Sequence, residues 1–463
     1  MTYAPRYHFT HYATDHPDFV AEVLGHGNRR DAALRQIAHA PNRDKQRLLI
    51  LRFLGHTNFK LLYLLRSVQA KRRLRTHPPE AMRELAARMT ATYHFAEYVR
   101  TTTVQPAPHK RRRTTFDFGP GKHALQTMVA DVIRAMFPLP SGRHFTLEGG
   151  VKAALMAVNE HAQHGFIHGI ERDIDQFYPS VDLQGLATLL RPLPGSVVRN
   201  VIGYRHGDTG LTAMHSTEAI DDAPLPPRGM LAQGSAASPA AAELLVADLL
   251  EAMPGDVRVM SYADNILILG ETISSIETAD AILVGRASEH QCGPLGLKPR
   301  KECLITGPSG INFLGHDGYW NGSRIQWMPD TAATNHILQA IELSTNEREG
   351  ALDQVRNAIQ RLRHWQRGYV WEDGQEETER FSAQLWAKLA FNAPHLSREY
   401  ILAIRSVTNY FQRHHSRHGE YPDLADLLPD FADANERRGK RPAFIRDIEN
   451  RLGIPLRPSE TEA

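Results

Sequence analysis

The sequence predicts a mixed α/β fold of the α+β type, in which a small antiparallel sheet lies between helical segments. Val259–Leu269 has the pattern of two short apolar strands around a polar tip that contains Asp264-Asn265, and this pair suits the turn of a hairpin. A further strand upstream ends near Asp173. Apolar residues at helical spacing on either side of these strands predict the surrounding helices.

Length and composition limit the class of protein. With 463 residues, the chain is long enough for more than one domain or lobe. It contains no apolar run of membrane-spanning length and starts without a signal peptide, so we expect a cytoplasmic protein with no membrane partner. Its two cysteines, Cys292 and Cys303, lie far from any Cys-x-x-Cys pattern, which argues against a disulfide scaffold or a structural zinc site.

Charge is distributed unevenly along the chain. Residues 1–150 contain 24 Lys and Arg against 11 Asp and Glu, a net charge of +13, whereas the remainder has a net charge of −11. The first part therefore suits a polyanion, and the second concentrates carboxylates. A solvated basic surface is the alternative for the first part, and its clustered arginines favour nucleic acid.

The first hundred residues are predicted to be mainly helical. Apolar residues recur at helical spacing, for example in Asp44–Leu54. The pair Pro78-Pro79 is predicted to begin a further helix that continues to about Arg100. Four adjacent cations, Lys110–Arg113, come next, and they repel one another unless anions lie nearby. A triphosphate or a nucleic-acid backbone would supply those anions, and a solvated charge run is the alternative.

The following segment leads to a carboxylate at a strand end. A strand at Thr115–Phe118 and two amphipathic helices between 122 and 164 precede a strand through Asp173. Asp182 suits the cap of the helix that comes after it. An Asp at a strand end and another on a hairpin tip form the arrangement that two-metal phosphoryl chemistry needs, because carboxylates on neighbouring strands can bridge two Mg²⁺ ions about 4 Å apart.

A Gln-Gly turn, Gln233-Gly234, precedes a helix rich in small residues, Ala240–Met253. Such a turn lets a backbone or a base approach closely, and tight packing of the helix on the sheet would favour the same small residues. After the hairpin we expect a helix over about 271–290, a strand at Cys303 and short strands near Tyr319. The remainder is predicted to be helical.

In their order along the chain, these motifs resemble those of prokaryotic reverse transcriptases over roughly 105–320. The resembling segments are DIDQFYPSVD from Asp173, LAQGSAASP from Leu231, SYADN from Ser261, GLKPRKE from Gly296 and FLG from Phe313. Each piece is short, and their joint order and spacing make the set specific.

The resemblance implies a right-hand polymerase: a helical, basic N-terminal extension (1–104), fingers and an antiparallel-sheet palm (105–325), and a helical thumb (326–463). It implies that Asp173, the Ile174 carbonyl and Asp264 hold two Mg²⁺ ions, with Mn²⁺ as an alternative, and that Asn265 assists. The implied nucleotide-binding residues are Arg112, Arg113, Tyr178, Gln233, Gly234 and Lys301, and Tyr178 would exclude a ribose 2′-OH. Phe313, Leu314 and Gly315 would form the primer grip.

The implied function is RNA-directed DNA synthesis, in which dNTPs are joined into a DNA product on an RNA template. The nearest groups are retron-like, abortive-infection-like and defence-associated enzymes, which implies anti-phage defence with a dedicated noncoding RNA. The hairpin has Asp264-Asn265 where the family usually has Asp-Asp, and an amide offers an oxygen but no charge. Protein-primed or untemplated DNA synthesis and a catalytically weak or inactive RNA-binding protein are the alternatives, and assembly into oligomers stays open.

Overall fold

The chain forms two compact units. A computed structural model describes residues 12–70, 78–93, 95, 97, 99–104, 113–204, 230–329, 375–392, 397–421 and 443–453. The first unit comprises Met1–Ala157 and Gly165–Glu302, and the second comprises Val158–His164 and Cys303–Ala463. The predicted segments 1–104, 105–325 and 326–463 are a functional division, which stays a prediction.

Helices make up most of the first unit. Those described are α1 (Pro17–Leu24), α2 (Gly27–Ala38), α3 (Arg43–Gly55), α4 (Thr57–Ala70), α5 (Pro79–Arg88), α6 (Pro120–Met136), α7 (Gly150–Gln163, which ends in the second unit), α8 (Phe177–Ser180), α9 (Leu183–Leu189), α10 (Ser238–Leu250) and α11 (Ile273–Ser288). A helical turn at Gly195–Val197 continues into the π-helical residues Val198–Ile202. Helix α9 begins as predicted, since the Asp182 carboxylate accepts a hydrogen bond from the Gly185 N–H at 2.7 Å.

A four-stranded sheet organises this unit. Its strands are β3 (His168–Asp173), β6 (Val257–Tyr262), β7 (Asn265–Gly270) and β8 (Lys301–Leu304, which ends in the second unit), in the order β6-β7-β3-β8. The β6–β7 and β3–β7 pairs are antiparallel, so the predicted mixture of helices and antiparallel sheet is confirmed. Ile266–Leu269 of β7 are all buried, so both faces of this strand are covered by the rest of the protein.

Two smaller sheets accompany the main one. The strands β1 (Val99–Val104) and β2 (Arg113–Phe118) form an antiparallel pair, and β4 (Gly203–Tyr204) pairs with β5 (Met230–Leu231). Our prediction of a helix continuing from Pro78 to about Arg100 was wrong, because α5 ends at Arg88. The β-branched residues of β1 favour a strand, and pairing with β2 along their whole length outweighs local helix propensity.

The second unit combines a three-stranded sheet with long helices. Its described elements are β9 (Ile311–Phe313), β10 (His316–Trp320), β11 (Ile325–Pro329), α12 (Gln375–Asn392), α13 (Ser397–His418) and α14 (Ala443–Leu452). The sheet order is β11-β10-β9, α12 packs against α13, and α13 packs against α14. The end of α7 belongs here, because the Ile325 N–H donates to Asn159 Oδ1 at 2.8 Å.

No individual helix in the described ranges is long and apolar enough to cross a membrane. One bent pair, Arg43–Gly55 with Thr57–Ser67, passes that test by length and composition only. Much of this pair lies in the protein core, where Ile50, Leu62 and Leu64 are fully buried.

Candidate active site

The two predicted carboxylate-bearing residues meet at one end of the main sheet. Asp173 is the last residue of β3 and lies opposite Asn265, the first residue of β7. The Ile174 N–H donates to the Asp264 carbonyl oxygen at 3.1 Å, which ties the chain after β3 to the hairpin turn. The structure therefore brings the backbones of Asp173, Ile174, Asp264 and Asn265 together.

The hairpin turn is held from outside by the segment Arg143–Thr146. Ala263 adopts a left-handed conformation with φ +54°, and its N–H donates to Thr146 Oγ1 at 2.7 Å. The Ser261 N–H donates to the Arg143 carbonyl at 2.8 Å, and the Phe145 N–H donates to the Ser261 carbonyl at 2.9 Å. This extra backbone pairing beside β6 fixes the turn that carries Asp264.

His144 reinforces that attachment from a buried position. Its Nδ1 lies 2.8 Å from Ser261 Oγ, three residues before Asp264. Burial and the nearby Arg143 charge lower the pKa of His144 to about 4, while Glu148 acts in the opposite direction. The imidazole is therefore neutral near pH 7.

A lysine that we did not predict contacts the candidate catalytic aspartate. Lys298 Nζ lies 2.6 Å from Asp173 Oδ1. That oxygen is buried and accepts no hydrogen bond of regular geometry from the described residues. The Lys298 ammonium forms an ion pair with it. The Lys298 N–H also donates to the Asp173 carbonyl at 2.8 Å, which brings the Gly296–Lys298 stretch beside the end of β3.

Arg172 fixes this stretch from the other side of β3. Its guanidinium makes a bidentate pair with Asp280 of α11, with Nε–Oδ1 at 2.7 Å and Nη2–Oδ2 at 2.6 Å. Its third group, Nη1, donates to the Lys298 carbonyl at 2.9 Å. Because Asp280 is only 4% exposed, the pair is largely desolvated and its geometry is strongly determined.

Tyr178 lies on the short helix α8 and is half-buried. Burial, and to a smaller extent the negative charge of Asp264, raises the pKa of Tyr178 to about 12. The phenol therefore stays protonated, and its dependence on Asp264 indicates that the ring lies within electrostatic range of the hairpin. Helix α8 also contacts β5, the strand that leads to Gln233-Gly234.

Gly234 is required by a close backbone contact. Its φ is +104°, and an added Cβ would lie 2.2 Å from the Phe116 carbonyl oxygen. Beside it, the Phe116 N–H donates to the Gln233 carbonyl at 2.7 Å. The group that approaches this turn is the protein's own strand β2, and the small residues Ala240–Ala242 of the following helix are buried as well.

The other predicted binding residues have different surroundings. Lys301 is exposed, and its Nζ lies 3.1 Å from Glu171 Oε2, two residues before Asp173 on the same strand face. Arg113 begins β2, and Arg112 lies outside the described residues. Their nucleotide-binding roles stay predictions.

The predicted primer grip belongs to the second unit. Phe313 ends β9 with a fully buried ring. Leu314 and Gly315 form the turn before β10, with φ values of +50° and +77°. The turn geometry is therefore defined, and the contact with a primer stays a prediction.

The donor set is chemically suited to Mg²⁺. Two carboxylates, the Ile174 carbonyl and the Asn265 amide are all hard oxygen donors, and the buried oxygen of Asp173 contacts the Lys298 ammonium without a regular hydrogen bond from the described residues. The Asn265 Nδ2 donates to the Tyr262 carbonyl at 3.5 Å, which leaves the amide oxygen as the group able to face an ion. Within the described ranges, no group of three or more His, Cys, Asp or Glu side chains is arranged to hold a metal. The residues present therefore suit a cation that is bound by two carboxylates and by neutral oxygen atoms.

Comparison with known proteins shows distant structural similarity to solved structures. No protein-family model matches the chain. No curated protein matches it either. Among solved structures, the chain is similar to telomerase from Candida albicans in complex with a TWJ fragment of telomeric RNA, with a TM-score of 0.37 and 9% identity, over 79% of this chain and 67% of that chain. Because this similarity is distant, any conclusion about function has to rest on the residues of the site.

Proposed function

We propose that the protein is a nucleotidyltransferase of the reverse-transcriptase kind, which synthesises DNA on an RNA template. The observation that carries the proposal is the meeting of Asp173, at the end of β3, with the Asp264-Asn265 turn between β6 and β7. Carboxylates at adjoining strand ends are what phosphoryl transfer with two metal ions requires.

Asp173, Asp264 and the Ile174 carbonyl would hold Mg²⁺, with Asn265 as a neutral oxygen donor. When bound, such ions would lower the pKa of a primer 3′-hydroxyl and stabilise the charge on departing pyrophosphate. The protein's own contribution is rigidity: the attached hairpin and the Arg172–Asp280 pair hold the carboxylates before substrate arrives.

Tyr178 would select the sugar of the incoming nucleotide. Its protonated phenol is half-buried near Asp264, where the ring can occupy space that a 2′-hydroxyl would need. We expect Tyr178→Ala to raise ribonucleotide use relative to deoxyribonucleotide use by about tenfold or more, since loss of a steric contact is worth about 1–3 kcal/mol. Steady-state incorporation of each nucleotide measures this ratio, and an unchanged ratio would contradict the role.

Primer extension tests the proposed activity. Purified protein, an RNA template with a primer, Mg²⁺ and labelled dNTPs should give template-dependent DNA. Asp173→Asn and Asp264→Asn should each reduce the rate by at least about 100-fold, because each removes charge from the reaction centre. Asp175→Asn is the matched control, since this exposed carboxylate lies two residues from Asp173, and it should retain activity. Synthesis that persists in both catalytic variants would contradict the proposal.

An RNA-binding protein without catalysis is the second candidate, and Asn265 favours it because this residue removes one charge from the hairpin. It predicts RNA binding in the absence of metal-dependent synthesis.

Protein-primed synthesis would instead leave DNA attached to the protein after denaturation. A dedicated noncoding RNA and a role in anti-phage defence belong to the same proposal. Sequencing the nucleic acid that co-purifies with the protein tests the first, and survival of phage infection by cells with the wild type or Asp173→Asn tests the second.

A further inference from the structure

We propose that Lys298 is an internal counter-ion of the metal site, which a divalent cation must displace from Asp173 in order to bind. This inference rests on the proposed function, because it takes Asp173 as a metal ligand. Lys298 would thereby set the affinity of the site for a cation. The resemblance to reverse transcriptases had pointed instead to Lys301 as the functional lysine of the segment that starts at Gly296.

The contact with Asp173 is direct. Lys298 Nζ lies 2.6 Å from Asp173 Oδ1, and this buried oxygen has no regular hydrogen bond from the described residues. A desolvated carboxylate oxygen needs a compensating positive charge. The Lys298 ammonium supplies this positive charge, and it does so at the oxygen that a bound metal ion would have to contact.

The position of Lys298 is determined by its backbone. Its N–H donates to the Asp173 carbonyl at 2.8 Å, and its own carbonyl accepts from Arg172 Nη1 at 2.9 Å. The neighbouring Leu297 forms a bridge with Ile174, and the Gly296 carbonyl accepts from the Asp175 N–H at 2.7 Å. The main chain is thus held beside Asp173 by four contacts.

The side chain has a route away from the carboxylate. It is 45% exposed, so the ammonium can move into solvent without disturbing the backbone contacts. An ammonium and a divalent cation cannot share Asp173 Oδ1, because like charges repel at contact distance. Since Asn265 carries no charge, the ammonium offsets one of the two carboxylate charges that attract a cation.

Lys301 provides a matched control for net charge. It lies three residues further along the chain, is more exposed, and pairs with Glu171 at 3.1 Å rather than with Asp173. Replacing either lysine with methionine removes one positive charge and preserves most of the side-chain length. Only Lys298→Met removes the contact with Asp173.

Mn²⁺ titration of the full chain, followed by electron paramagnetic resonance without nucleotide or nucleic acid, tests the inference. Lys298→Met should lower the Kd for Mn²⁺ by about three- to tenfold, as expected for loss of a partly exposed ion pair. Lys301→Met should change it by less than about twofold, since its charge is screened and makes no contact with Asp173. As a second readout, Mg²⁺ should raise the Tm of Lys298→Met by more than that of the wild type.

Unchanged or weaker Mn²⁺ binding by Lys298→Met, or an equal gain in Lys301→Met, would overturn the counter-ion role. Circular dichroism establishes that each variant is folded, and Lys298→Gln repeats the test with a polar replacement. Suppose that the wild type binds Mn²⁺ and that Asp173→Asn abolishes this binding. If Lys298→Met then fails to bind Mn²⁺ more tightly, only the counter-ion role of Lys298 is contradicted. If neither the wild type nor Lys298→Met binds Mn²⁺, the metal site and the proposed function fail together.

Discussion

At the scale of single residues, the candidate site has Asp173 at the end of β3, Asp264 in the adjoining hairpin turn, and the Lys298 ammonium 2.6 Å from Asp173. Hairpin and strand patterns place a carboxylate at each strand end, and antiparallel pairing then brings the two ends together. The role of Lys298 depends on pairing between Gly296–Lys298 and the chain after β3, which leaves no periodic pattern in the sequence. The resemblance to reverse transcriptases pointed instead to Lys301, whose partner is Glu171.

Asn265 gives a prediction at the same scale. Asn265→Asp adds a carboxylate opposite Asp173 and should tighten Mn²⁺ binding by about tenfold, because the net negative charge of the site increases. The same Mn²⁺ titration measures the effect. Weaker or unchanged binding would contradict the placement of this side chain among the cation's ligands.

His144 predicts a pH dependence of stability. In the unfolded chain its pKa is near 6.5, whereas burial lowers it to about 4 in the folded protein. The unfolded state therefore binds the proton more readily, and the free energy of unfolding falls as the pH drops from about 6.5 towards 4. Between pH 7 and 4.5, the wild type should lose about 2 kcal/mol more than His144→Asn in denaturant titrations. Parallel losses would contradict the assignment.

At the scale of elements, the sequence predicted the helices and the central strands, but not the contacts that place them. Strand β1 was missed because its pairing with β2 outweighs the helical pattern that precedes it. The Arg143–Thr146 segment was missed because a non-periodic loop carries no signal of the strand it will join. Both act through long-range backbone hydrogen bonds.

The docking of β2 on the Gln233-Gly234 turn can be tested with one methyl group. Gly234→Ala should lower the free energy of unfolding by about 2 kcal/mol or more, because the Cβ would meet the Phe116 carbonyl and φ is +104°. Gly255→Ala is the control, since its Cβ would have no atom within 4 Å. Denaturant titration compares the two variants, and equal stabilities would contradict the close approach.

The Arg172–Asp280 pair links β3 to α11. Arg172→Met should lower the free energy of unfolding by about 3 kcal/mol, because it leaves the Asp280 carboxylate buried without its bidentate partner. The double variant Arg172→Met/Asp280→Leu should lose less, since no charge is then stranded. A double variant that is less stable than Arg172→Met would contradict this view of the pair.

At the scale of the whole molecule, the charge asymmetry predicts salt-dependent binding of nucleic acid. The net charge of +13 in residues 1–150 favours contacts with phosphates, so affinity should fall by at least about tenfold between 50 and 200 mM salt. Replacing Lys110–Arg113 with glutamine should reduce that salt dependence. Filter binding measures both, and an affinity that is independent of salt would contradict the nucleic-acid interpretation of this region.

The most direct test of the central claim maps the metal site on the polypeptide. Fe²⁺ bound in place of Mg²⁺, with ascorbate and peroxide, generates hydroxyl radicals that cut the backbone beside the ion. We expect cuts near both Asp173 and Asp264, which excess Mg²⁺ suppresses and Asp173→Asn abolishes. Cuts confined to one of these two segments, or unaffected by Asp173→Asn, would contradict a cation held between them.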